Sequence, residues 1–360
     1  MSTLRTNAIV DASGGTTATV NGIPLRPGVL DPENRIINGA FDFWQRGTSS
    51  TASGYVAADR WENALVGGTV TQSRQAFAVG DTLGSSNPIY FLRQSVSGQT
   101  LSSHLAVTAQ AIEGVRSYAG QTITILGWAR RSSGSGNMAV ELYQFMGSGG
   151  SPSADVSAIG VTTVTLTGSF APFAVTISVP SISGKTLGTN GNDKLALNFW
   201  TSAGSNFNAR TNSLGLQTIG VDLWGIHIKQ GTHTTSAVDL YRQPERGPEL
   251  ARCQRYYERF DSAGAAGYYL GMGMIWATNA GRLVVPYKVQ KRAIPSVFAS
   301  GSLIFGDGAG TGTVTSFAVD SPSVDTALVY GTFSSGSGTQ GRAAQAYTTT
   351  TFSLGIDAEL

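Results

Sequence analysis

The chain has 360 residues, with 46 Gly and 12 Pro, 41% hydrophobic residues, 13% charged residues and a formal net charge of +2. The apolar share is enough for a real core, which excludes wholesale disorder, and no Gly-every-third period supports collagen. So weak a net charge argues against a nucleic-acid partner, because phosphate binding needs a dense cationic face.

The length predicts about two domains. Cys253 is the single cysteine, so an intrachain disulfide and a multi-Cys metal site are both excluded. Met1-Ser2-Thr3-Leu4-Arg5 leads into polar, Gly-rich sequence, so no signal peptide is expected. No long apolar run is present, so no membrane insertion is expected either. The expected route is synthesis in a cytosol, then release by lysis or assembly into something larger.

Residues 1–33 read as a leading arm. Their larger apolar residues are sparse (Leu4, Ile9, Val10, Val20, Ile23, Leu25, Val29, Leu30), and Ser13-Gly14-Gly15 and Asn21-Gly22 interrupt them. Such a segment cannot close a core alone; docking in extended form on a neighbour is favoured over plain terminal disorder.

Residues 34–245 read as all-β. Phe173, Val175, Ile177 and Val179 share one strand face, as do Leu195, Leu197 and Phe199. Leu105, Val107, Ala109 and Ala111 are in phase, although Ala106 interrupts the contrast. Ile219, Val221 and Leu223 are in phase, and across Gly225 the pattern slips by one to Ile226 and Ile228. A Gly at a phase slip predicts a β-bulge. Many short strands at this spacing predict a sandwich or a barrel.

A connecting helix is predicted within 246–264, from Pro248 to about Phe260. Pro248 and Glu249 suit a first turn, and Leu250, Cys253, Tyr257 and Phe260 form one apolar stripe. Strand-like runs resume over 265–360, among them Leu283–Tyr287, Leu303–Phe305, Ala327–Tyr330 and Phe352–Ile356, and predict a smaller C-terminal β domain.

Catalytic signals are scarce. His104, His227 and His233 form no metal-binding pair, and His227, between Ile226 and Ile228, is expected to face solvent. Gly184-Lys185-Thr186 lacks the earlier Gly of a phosphate loop, since Val179 stands there. Cys253 lies on the helical stripe, where a buried small hydrophobe is the simpler reading than a nucleophile. No motif singles out a carboxylate pair for glycoside hydrolysis. Trp128, Trp200 and Trp224 sit inside strand patterns and are expected to fill cores. Trp44 and Trp61 lie at a strand exit and after a loop, where an exposed ring can stack on a sugar.

Residues 34–47, Asn34-Arg35-Ile36-Ile37-Asn38-Gly39-Ala40-Phe41-Asp42-Phe43-Trp44-Gln45-Arg46-Gly47, are followed by Ala58-Asp59-Arg60-Trp61. Together they resemble the opening of a domain common in tailed-phage and prophage fibre proteins. Leu92–Val96, Ala119–Ala129, Asp222–Gly231 and the helix Pro248–Tyr257 continue the resemblance over roughly the first 260 residues. Leu4–Gly14 is similar to the virion-anchoring arm of such proteins. The resemblance implies a jelly roll similar to carbohydrate-binding modules, in a homotrimeric fibre. It also places Asp42 and Asp222 where related modules hold a structural Ca²⁺, although calcium needs six to eight oxygens and two carboxylates do not make a site.

The expected fold class is therefore all-β: a jelly-roll sandwich, one short helix and a smaller C-terminal β tip domain, preceded by an extended arm. The expected function is non-enzymatic attachment of a virion to a host surface polysaccharide, with the arm on a tail or capsid protein. Candidate glycan contacts are Trp44, Trp61, Tyr268, Tyr269 and Tyr330. The helical stripe suits either a three-helix seam or docking on the sandwich. The alternatives are a capsid head fibre or decoration, a polysaccharide depolymerase, and a host-encoded carbohydrate-binding module.

Overall fold

The computed structural model describes residues 19–20, 23–24, 34–262, 268–320, 322–333, 338–348 and 350–360. The expected arm lies outside the described residues, apart from a short antiparallel ladder of Thr19–Val20 with Ile23–Pro24.

The first unit is a jelly-roll sandwich of two antiparallel sheets. One runs, in spatial order, Val156–Thr165, Asn137–Phe145, Lys194–Ala203, Leu105–Glu113 and Glu62–Val66. The other runs Ala171–Ser178, Thr122–Gly134, Ile219–Gln230, Tyr90–Ser97, Thr69–Ala76 and Ser49–Ser50. Val140, Leu142, Leu195, Leu197 and Phe199 of the first sheet meet Ile123, Ile125, Val175, Ile177, Val221 and Leu223 of the second. Each such side chain fully removed from water contributes about 1.5–3 kcal/mol, so this layer decides the fold.

The phase slip at Gly225 is a real irregularity of the ladder. Ile219, Val221 and Leu223 enter the core before it, and Ile226 and Ile228 enter after it. The register with Thr122–Gly134 shifts between Trp224 and His227. Gly225 has φ +66°, a left-handed conformation that costs any residue with a Cβ.

Several side chains depart from the sequence expectations because both sheets are covered on their outer faces too. Val107, Ala109 and Trp200 form a cluster outside the five-stranded sheet, while Ala106 and Ile112 of the same strand face the central core. Trp224 packs with Phe91 and Tyr241, with Trp128 at the margin, outside the six-stranded sheet. His227 is buried rather than solvent-facing: its Nδ1 lies 2.8 Å from the Gly225 carbonyl and its ring 4.9 Å from that of Tyr241.

The helix spans Arg246–Gln254, shorter than the spacing predicts. Tyr257 and Phe260 belong instead to a strand, Tyr257–Asp261, paired with Phe352–Asp357. Long-range pairing overrides a helical spacing that short aromatic runs share with strands. Leu250, Cys253 and Tyr256 pack on Ile37 and Phe43 of the same chain, so the stripe docks on the sandwich rather than opening to a three-helix seam.

Ser296–Gly301 completes a three-stranded sheet on the other side of Phe352–Asp357. The remaining strands close a barrel in the order Tyr269–Ala277, Ala280–Pro286, Thr326–Phe333, Thr311–Asp320, Ile304–Gly306 and Ala343–Tyr347. Its interior holds Ile275, Leu283, Phe305, Val314, Val329 and Phe333.

Candidate functional site

The Asn34–Gly47 run, Ala58–Trp61 and the helix converge on one buried joint. Asn38 donates from Nδ2 to the carbonyls of Phe43 (2.9 Å) and Asp59 (3.0 Å), and its backbone N–H goes to Glu249 of the helix. Asp59 accepts from the backbone N–H and the amide of Gln45 at 2.9 and 2.7 Å. Arg60 pairs with Glu359 and lies 3.4 Å from the centre of the Tyr256 ring. Arg46 pairs with Asp357 at 2.7 Å and lies 3.6 Å from the Tyr257 ring. These contacts fasten the C-terminal strands and the helix to the sandwich.

Two of the expected sugar plates are part of this construction. Trp61 is 0% exposed, donates from Nε1 to the Asn38 carbonyl at 3.0 Å and packs on Phe41 and Phe199. Trp44 is 8% exposed and donates to the Phe41 carbonyl. Neither ring offers a face to a sugar, because the loops around Asn38 close over both.

The two carboxylates of the expected calcium pair are each engaged by other groups. Asp222 is fully buried and accepts from Arg93 at 2.6 and 2.9 Å and from Arg130 at 2.7 Å, so guanidinium groups occupy both of its oxygens. Asp42 accepts from Gln243 at 2.6 Å and faces Arg246 at 3.7 Å; burial raises its carboxyl above the ordinary range. Among the described residues no group of three His, Cys, Asp or Glu side chains could hold a metal ion. Glu141 is closed off in the same manner as Asp222, by Arg210, Asn198 and Trp200. Cys253 is buried, and burial pushes its thiol well above the ordinary value, which disfavours the thiolate.

One wall of the barrel carries a row of exposed apolar side chains. Along the strand Tyr269–Ala277, Tyr269 is 61% exposed, Met272 63%, Met274 37% and Trp276 45%, with Val284 at 57% on the next strand. From Tyr269 to Trp276 the row runs about 23 Å at the usual rise of a strand. Met272 stands opposite Gln345, Met274 opposite Arg282, and Arg282 opposite Tyr330. The Arg282 guanidinium lies 3.9 Å from the Trp276 ring centre, 5.5 Å from that of Tyr330 and 3.7 Å from the Asp320 carboxylate. Tyr269 forms a ring pair with Tyr347 at 5.7 Å. Tyr268, half-buried, lies just before this row, and its carbonyl accepts from the Thr348 N–H.

This side of the strands is apolar although it faces water because the other side is filled from across the barrel. A Cβ on Gly281 would lie 2.6 Å from the Phe305 ring, and one on Gly331 would lie 2.7 Å from Val314. These two glycines make room inside for Phe305 and Val314 of other strands. Of the sequence candidates, Tyr269 and Tyr330 lie on this wall; Trp276, Met272, Met274, Arg282 and Val284 were not among them. A row of exposed apolar side chains of this kind makes the wall the candidate surface.

No family model matches the chain, and no curated protein matches it. Among solved structures it is similar to a carbohydrate-binding module of family CBM4 (14% identity, 54% of this chain, 98% of the other, TM-score 0.29). It is also similar to the family 11 module of Clostridium thermocellum in complex with a mixed-linked tetrasaccharide (9% identity, 50% and 95%, TM-score 0.29). A third is the CBM22-1–CBM22-2 tandem domain of Paenibacillus barcinonensis Xyn10C (12% identity, 88% and 98%, TM-score 0.28).

Proposed function

We propose that this chain is a non-enzymatic attachment protein of a phage particle, a short tail fibre in which three copies present the barrel wall to a host surface polysaccharide. The observation that carries the glycan contact is the exposed row Tyr269, Met272, Met274 and Trp276 with Arg282 and Tyr330 beside it. A pyranose turns a face of C–H groups to an aromatic plate, and its hydroxyls bond to charged and amide groups at the rim. Trp276 and Tyr330 are such plates; Arg282, Asp320 and Gln345 are such rim groups. The virion assignment is supported by the Asn34–Gly47 run and the helix motif. Each shallow site binds weakly, and three linked copies raise the avidity through effective concentration.

The test is binding of the purified chain to a panel of bacterial surface polysaccharides. Trp276→Ala is expected to weaken binding about ten- to thirty-fold, as loss of an aromatic hot spot does, with an unchanged melting temperature. Unchanged binding in that variant ends the assignment to the wall. Light scattering is expected to report three times the 37.5 kDa chain mass, and a stable 37.5 kDa species ends the trimer. Reducing sugars released from the bound polysaccharide end the non-enzymatic reading in favour of a depolymerase.

A further inference from the structure

A second, chemically different cavity opens at one end of the sandwich, remote in sequence from the barrel wall. It has a volume of about 350 Å³ and is lined by Arg35, Arg116, Ser117, Tyr118, Gln121 and Gln230. That volume lies at the lower end of small-molecule sites. The turn after the strand Leu105–Glu113 supplies Arg116, Ser117 and Tyr118, while Gln230 ends the last sandwich strand.

The charge balance sets this cavity apart. Other guanidinium groups of the sandwich meet carboxylates, Arg93 and Arg130 on Asp222, Arg210 on Glu141 and Arg60 on Glu359, while Arg74 and Arg131 have no carboxylate partner among the described residues but do not line this cavity. Arg35 and Arg116 are both exposed, and neither has a carboxylate partner among the described residues. Glu113, the one acid in the lining, is engaged by Arg255 at 3.0 and 3.1 Å and by the Tyr256 hydroxyl at 2.7 Å. Arg35 is held in place: its backbone N–H bonds to the Tyr118 hydroxyl at 3.0 Å and its guanidinium lies 5.9 Å from that ring. Gln121 accepts from Gln230 at 2.9 Å, which leaves its own Nε2 without a partner among the described residues.

Two guanidinium forks without a carboxylate partner among the described residues, with an amide donor in the same polar cavity, suit an anionic oxygen group, and the fork geometry matches a carboxylate in two-point contact. We infer that this cavity binds the carboxylate of an acidic sugar, a hexuronic acid unit, as a site separate from the barrel wall. The choice of a sugar rests on the glycan-attachment reading; the choice of an anion rests on the cavity alone. A carboxylate adds a charge-assisted two-point bond that a neutral hexose cannot make.

The experiment titrates the full chain with fluorescently labelled trigalacturonate, its neutral methyl ester and inorganic phosphate as competitor. Trigalacturonate is expected to bind and the methyl ester not to bind. Arg35→Gln and Arg116→Gln are each expected to weaken binding about five-fold, the scale of a solvent-exposed ion pair, and Trp276→Ala is expected to leave it unchanged. Binding that survives both arginine changes overturns the site. Phosphate that competes as well as galacturonate, mole for mole, overturns the sugar and leaves an anion site. Arg116 bonds to no other side chain among the described residues, so its variant is expected to fold. Loss of polysaccharide binding in Trp276→Ala with this cavity intact separates the two sites.

Discussion

The buried joint and the barrel wall are made of the same parts and differ in water. At the joint Arg60 lies against Tyr256 and pairs with Glu359, with side chains 1% and 7% exposed. On the wall Arg282 lies against Trp276 and faces Asp320, with side chains 26% and 52% exposed. In the first place the charges have lost their hydration and depend on each other. In the second they keep it, and the aromatic faces remain open to a ligand. The comparison teaches that burial, not composition, decides whether an arginine–aromatic–carboxylate set is locked into the structure or stays accessible.

The largest expected effect comes from breaking the buried member. Arg60→Met leaves Glu359 as a buried carboxylate, and urea denaturation should report a loss of about 3 kcal/mol, the lower end of the range for such a break. The lower end applies because Arg46 still reaches Glu359 at 3.3 Å.

The next effect is on pH dependence within the same joint. Burial pushes the Asp59 carboxyl up to about 6 from its ordinary 3.8, despite its bonds from Gln45. A carboxyl raised on folding favours the protonated form. Its contribution is therefore complete below about pH 4 and lost as pH rises through about 6. Relative to Asp59→Asn, the wild type should lose at most about 3 kcal/mol between pH 4 and pH 7.5. A difference that does not change over that interval shows that the carboxyl titrates normally.

The smallest effect on folding sharpens the contrast. Arg282→Met should change stability by less than about 1 kcal/mol, because its partner is solvated. The same change should weaken polysaccharide binding, measured beside Trp276→Ala. A stability loss as large as that of Arg60→Met would make the wall a structural element.

Much of the sandwich was legible because its strands alternate cleanly. The slip at Gly225 could be read residue by residue, since Ile226 and Ile228 change phase together. The end of the helix was not legible: the spacing of Tyr257 and Phe260 fits a helix, and their strand partners lie almost a hundred residues on, at Leu354 and Asp357. Trp44 and Trp61 misled because position near a loop says nothing about what folds over a ring; the Asn38 turn does that. Trp276 was missed for a related reason. In Gly271-Met272-Gly273-Met274-Ile275-Trp276 both faces look apolar, and only the position of Phe305 and its neighbours across the barrel decides which face is filled.

The chain passes into the barrel beyond Asp261 and comes back at Ser353, and these two residues are opposite partners in one ladder. Traction on the barrel would therefore load that ladder at its Asp261–Ser353 end, and the strand Ser296–Gly301 on the other side of Phe352–Asp357 would share the load. The final rung is Tyr257 with Asp357, where Arg46 and Arg60 grip Asp357 and Glu359. The Arg46 and Arg60 pairs thus sit at the far end of the ladder from the Asp261–Ser353 rung, as a mechanical stop between the barrel and the sandwich.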